Sequence, residues 1–203
     1  MKNNIEDIAK SCLIELDDNT DIGLIKGKAG LCLFYFLYSK YGGNAVLEDL
    51  AEELLYEVTE GISNETPIWL GDGLAGIGWA VIFLYQHHYI DGDVNIILNC
   101  CDRLITQWDV RRISNTSLEK GLRGIAAYVT ARLEIDLEHP MLDKQYINEL
   151  FARCNETGVN NYDLSMKALC KYMNRVECAA FWKAGICTMI EKQHEEKSFI
   201  SDR

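Results

Sequence analysis

The stretch Trp69-Leu70-Gly71-Asp72-Gly73-Leu74-Ala75-Gly76-Ile77-Gly78-Trp79-Ala80 decides the fold. It carries a G-x-x-G at Gly73 and Gly76 and runs directly into an apolar segment, 76–85. Two other places read the same way. Gly27-Lys28-Ala29-Gly30 opens the apolar run 30–38, and Gly121-Leu122-Arg123-Gly124 opens a weaker one, 124–133. The first glycines lie 46 and then 48 residues apart. That period holds two helices and two connections, so the chain reads as an array of helical hairpins. A helix apolar on every face has to be buried on every face. Each run is shorter than the roughly 18 residues that a membrane span needs. The glycines then fit a place where buried helices converge and only a residue without a Cβ allows close backbone approach.

Between these runs lie helices of another kind. In 44–60, Leu47, Leu50, Ala51, Leu54, Leu55 and Val58 form a stripe at helical spacing, with glutamates on the other side. Asn44 is placed as its N-cap. The same theme appears in 4–16 (Ile5, Ile8, Cys12, Leu16) and in 93–108 (Val94, Ile97, Cys101, Leu104, Trp108). Half-wet helices alternating with fully apolar ones predict two layers, buried helices inside and amphipathic ones outside. A fourth copy of the opening looks eroded: Ser165 and Ala168 stand where two glycines would fall. A last helix is expected over 175–192, with Cys178, Trp182, Gly185 and Met189 on one face. The fold class is therefore all-α, a toroid-like α/α array of about nine helices. One domain is expected over 1–192, followed by a polar tail at 193–203.

Composition narrows the function classes. A net charge of −11 disfavours nucleic acid and anionic membrane surfaces as partners. The first residues lack the apolar core of a secretory signal, so a cytoplasmic protein with reduced, mostly buried cysteines is expected. There is no phosphate loop, nucleophile elbow or dinucleotide fingerprint. Cys170, Cys178, Cys187 and His194 are separated by 8, 9 and 7 residues, without the tight pair typical of zinc sites, so no metal site is expected. Tyr35, Phe36, Trp79, Phe83 and Tyr85 read as core aromatics.

Inner helices opened by G-x-x-G at this period resemble the lanthionine synthetase C-like (LanC-like) family. The likeness rests on Ile25-Lys-Gly-Lys-Ala-Gly-Leu-Cys-Leu-Phe and on Trp69-Leu-Gly-Asp-Gly-Leu-Ala-Gly-Ile-Gly-Trp-Ala, and it spans roughly residues 1–135. The resemblance implies an α/α toroid. It also implies a lineage whose active members use zinc to add a peptide cysteine thiol to a dehydroamino acid, closing a thioether ring. Their metal ligands come from a Trp-Cys pair before a glycine and from a Cys-His-Gly run. This sequence has neither: its tryptophans are followed by Leu70, Ala80, Asp109 and Lys183, and no cysteine precedes a histidine. The family's acidic active-site residue would fall at Trp69 here, with Asp72 nearby. The expectation is therefore a LanC-like protein without the zinc ligands and with no cofactor. Its role would be to bind a peptide, as a non-catalytic accessory to a peptide-modifying protein. The alternative is a divergent cyclase of the same lineage, forming thioethers at another site.

Candidate residues follow from the helix ends. Asp72 precedes an inner helix, where a carboxylate suits the dipole or serves as a base at the cavity mouth. Lys26, Lys28, Lys120, Arg123 and Lys167, with Glu119, mark the equivalent ends. Cations there oppose the dipole, which suggests a rim that docks an acidic peptide or carboxylate. His87 and His88 close the second inner helix and stand with Asp72 as candidate catalytic groups. A full toroid of this family needs more hairpins than the four or so read here, which leaves an open arc. A cap by the terminal helices is the favoured resolution, and a homodimer the next.

Overall fold

In the computed structural model of the protein, every apolar run behind a G-x-x-G is a helix. Residues 5–16, 19–42, 44–135, 142–162, 164–175 and 182–189 are described. In chain order the elements are α1 (Ile5–Leu16), α2 (Lys28–Gly42), α3 (Ala45–Glu60), α4 (Leu74–Gln86), α5 (Asn95–Ile105), a 3-10 turn (Val110–Arg112), α6 (Leu122–Ile135), α7 (Lys144–Glu156) and α8 (Met166–Arg175). Residues 182–189 are helical and are labelled α9. No strand occurs among the described residues. The expected tail at 193–203, Cys178 and His194 lie outside them.

The two layers follow from the two sequence patterns. In α4 all residues from Leu74 to Ile82 are buried, whereas α3 buries Ala51, Leu54 and Val58 and leaves its glutamates wet. Asn44 caps α3 as its position foretells, its Oδ1 accepting from the Val46 N–H at 3.1 Å. Inner helices α2, α4 and α6 lie side by side, with α1, α3, α5 and α7 against them. Polar contacts tie the layers. The Tyr35 hydroxyl donates to the Ala9 carbonyl at 3.0 Å. Between α5 and α6, Asp102 accepts from the Tyr128 hydroxyl at 2.5 Å and from Arg132 Nε at 3.0 Å. Arg132 also donates to Asn95 at 2.8 Å. Extra hydrogen bonds of this kind offset part of the desolvation cost of a buried ion pair.

The glycines do a different job from the one read in the sequence. In each repeat the loop before the inner helix folds back over the helix start. The same bond recurs three times across seven residues: Lys28 N–H to Asp21 O, Leu74 N–H to Pro67 O, and Leu122 N–H to Asn115 O, at 2.7, 2.8 and 2.9 Å. A Cβ on Gly73 would sit on the Pro67 carbonyl oxygen, and one on Gly76 on the Leu70 carbonyl oxygen. The pairs at Gly27/Gly30 and Gly121/Gly124 meet the carbonyl six residues back in the same way. The close approach is thus between a helix and its own loop; between neighbouring repeats, the second glycine adds contact with a leucine, Leu24 on Gly76 and Leu70 on Gly124. The loops also bond to one another. Ile25 N–H donates to Gly71 O at 2.8 Å, and Gly71 N–H to Glu119 O at 2.9 Å.

The last third departs from this plan. The start of α8 lies beside the C-terminal halves of α4 and α6, while its Tyr172 hydroxyl reaches Glu119 Oε2 at 3.2 Å, at the other end. So α8 runs opposite to α2, α4 and α6, and Ser165 and Ala168 do not open a fourth inner helix of the same direction. Ser165 instead caps α8, its Oγ accepting from the Ala168 N–H at 3.2 Å. Helix α9 takes the inner direction. The Trp182 ring fills the space in front of Gly30, and Gly185 faces the Phe34 ring. This places α9 against the flank of α2, where a preceding repeat would otherwise pack.

Candidate functional site

Two ends of the inner layer carry polar groups. The loop end is built by the three folded-back loops, which bring Asp72, Glu119 and Lys120 together. Asp72 Oδ2 lies 3.2 Å from Lys120 Nζ. Its other oxygen, Oδ1, is buried and has no hydrogen-bond partner among the described residues. The Asp72 carboxylate, through its hydrogen bond and its charge, holds the Lys120 ammonium above the ordinary lysine range. Glu119 is anchored twice, by its carbonyl to Gly71 and by its carboxylate to Tyr172.

The other rim cations are distributed. Lys28 pairs with Glu57 of α3 at 2.5 Å. Arg123 Nε donates to the Asn161 carbonyl at 3.2 Å. Lys26 is exposed, and its carbonyl accepts from Asn19 Nδ2 at 2.9 Å. Lys26, Lys28, Asp72, Glu119, Lys120 and Arg123 therefore share the loop end. Lys167 does not, because the reversed α8 carries it to the opposite end.

Beside Lys120 opens a cleft of about 810 Å³, lined by Trp69, Gln107, Trp108, Arg112 and Asn115 among others. Trp108 is 52% exposed, and its ring centroid lies 6.2 Å from that of Trp69. The sequence pattern extends the α5 stripe through Trp108, but α5 ends at Ile105. Asp109 then caps the 3-10 turn, accepting from the Arg111 N–H at 3.1 Å. Its hydrogen bond to the Arg111 side chain holds the Asp109 carboxyl below the usual carboxylate range. Asp109, a capping residue directly after Trp108, is the sequence signal that the helical stripe has already ended.

At the opposite end His87 caps α4, its ring centroid 4.3 Å from that of Phe83. Burial, with His88 and Lys40 adding charge repulsion, holds the His87 imidazole below its ordinary pKa. His88 is a turn residue: φ is 57°, the N–H groups of His88 and Tyr89 donate to Tyr85 O and Leu84 O, and its own carbonyl accepts from Lys40 Nζ at 2.9 Å. That is a helix-ending motif usually made by glycine. Asp72 and the two histidines thus occupy opposite ends and share no site. Of the expected core aromatics, Tyr35, Phe36 and Trp79 are buried, Phe83 is half-buried, and Tyr85 is exposed.

The donor chemistry does not fit zinc among the described residues. No three His, Cys, Asp or Glu side chains there are grouped to hold a metal ion. Burial pushes the thiols of Cys32 and Cys101 far up and that of Cys154 to about 11, which opposes the thiolate a metal requires. No helix among the described residues is long and apolar enough to cross a membrane. A family model described as lanthionine synthetase C-like protein matches residues 1–126, which ends inside α6. No curated protein and no solved structure matches the chain.

Proposed function

The chain belongs to the lanthionine synthetase C-like family, and from that premise we propose that it binds an acidic peptide at the loop end, as a non-catalytic accessory to peptide modification. One observation carries this reading. The cleft beside the G-x-x-G loops combines two tryptophans, one half-exposed, with Lys120 and Arg112. Aromatic rings and arginine are the side chains that anchor peptide partners most strongly. Lys120 and Arg112 line the cleft and are held by Asp72 at 3.2 Å and by Asp109 at 3.5 Å. Both are exposed pairs of the kind that contribute little, so a peptide carboxylate can compete for these cations. The partner is a peptide or a peptide-modifying protein, and neither nucleic acid nor membrane enters the reading.

The test is a calorimetric titration of the purified protein with acidic, neutral and basic 12-residue peptides. Saturable binding of the acidic set is expected, weakened at least about tenfold by Trp108→Ala and by Lys120→Met. Binding of no peptide, or binding indifferent to both substitutions, overturns the proposal. Zinc bound one to one in metal analysis of the protein would overturn it too.

A divergent cyclase is favoured by a single feature, the buried Asp72 oxygen that has no partner among the described residues. Such a carboxylate suits a base that takes the proton of a peptide thiol. This reading requires the wild type to consume thiol from a peptide containing cysteine and dehydroalanine, and Asp72→Asn to stop it while leaving the fold intact. Absence of turnover by the wild type ends it.

A further inference from the structure

A second cavity, of about 440 Å³, lies at the end away from the loops, between α4, α6 and the start of α8. Its volume is in the range of small-molecule sites. The body is apolar and aromatic: Leu37, Ile82 and Met166 line it with Trp79 and Phe83, whose rings stack at 5.7 Å. Its polar lining is mixed, with Gln86, His87, Thr130 and Ser165 beside one charge of each sign. Lys167 stands on the first turn of α8, and Glu134 on the last turn of α6. Neither is in an ion pair among the described residues. One turn before Glu134 on α6, Thr130 Oγ is buried with no hydrogen-bond partner among the described residues. The backbone adds to this separation of charge. The C-terminal turns of α4 and α6 present the negative ends of their dipoles, and α8 presents its positive end.

We propose that this cavity binds a free α-amino acid with a large apolar side chain. Its ammonium is met by Glu134 and by Thr130 Oγ as an acceptor. Its carboxylate is met by Lys167 and by the positive end of the α8 dipole. Its side chain lies against Trp79 and Phe83. The charge pattern selects this class: a fatty acid leaves Glu134 facing apolar surface, an amine leaves Lys167 unmatched, and an acidic amino acid leaves the aromatic wall without an apolar partner. A peptide segment lacks the paired free termini.

The experiment is isothermal titration of the full chain with L-phenylalanine, L-leucine, L-alanine and L-aspartate, up to about 10 mM ligand. N-acetyl-phenylalanine and phenylalaninamide serve as blocked controls. Saturable binding of phenylalanine and leucine is expected, with each blocked form weaker by at least about tenfold. Lys167→Met and Glu134→Gln, both at exposed positions, are expected to lower phenylalanine affinity by a similar factor. Trp108→Ala, in the cleft at the loop end, is expected to leave it unchanged, which separates this site from the peptide site. The proposal is overturned if neither phenylalanine nor leucine binds. Equal binding of the blocked forms, or indifference to both cavity substitutions, also overturns it.

Discussion

The opening of α4 and the opening of α8 look alike on paper and are built differently. Both present two small residues three apart across the start of a helix, Gly73 and Gly76 in one case, Ser165 and Ala168 in the other. Ahead of α4 the loop folds back until carbonyl oxygens occupy the positions a Cβ would take. At the start of α8, Ser165 caps the helix with its own hydroxyl. Small size is therefore not the operative property. What the repeat needs is the complete absence of a Cβ, because the neighbour is backbone that cannot move aside.

The strongest way to break this comparison is Gly76→Ala. The added methyl would strike both the Leu70 carbonyl and the Leu24 side chain, so a loss of more than about 4 kcal/mol, seen as failure to fold, is expected in urea unfolding followed by circular dichroism. A change below about 1 kcal/mol would mean that the loop is not held against the helix. Next comes Trp182→Ala, which tests whether α9 stands in for a preceding repeat. Removing a buried ring packed on Gly30 should cost about 3 kcal/mol in the same assay, and an unchanged midpoint would detach α9 from α2. The smallest effect is assigned to Ser165→Ala, about 1 kcal/mol for a lost cap. A cost equal to that of Gly76→Ala would instead make the two openings equivalent.

Much of this architecture was legible in the sequence because periodicity reports burial directly. The fully apolar 76–85 run and the half-wet 44–60 stripe became α4 and α3 with ends close to those expected. The α8 direction was not legible, since Ser165 and Ala168 specify size and say nothing of chain direction. Trp108 was misplaced for a related reason: helical spacing continues on paper past Ile105, while Asp109 ends the pattern by capping a new turn. The residues expected to share one rim do lie at one end where the loops repeat, and Lys167, which follows no such loop, lies at the other. The cavity at the far end draws on Leu37, Trp79, Thr130, Glu134 and Lys167, residues far apart in sequence that only the reversal of α8 assembles.

The bonds from Ile25 to Gly71 and from Gly71 to Glu119 join positions that each lie two residues before the first glycine of a repeat. The three loops are thus rungs of one ladder, and a rung cannot lengthen without shifting its neighbours. Yet the repeats differ in length by two residues, 46 against 48. That difference has to be absorbed off the ladder, in connections such as 61–66 and 106–114. Insertions and deletions are accordingly sorted by place: harmless where the chain turns between layers, and ruinous within 67–76, where one extra residue would put the whole stack out of step.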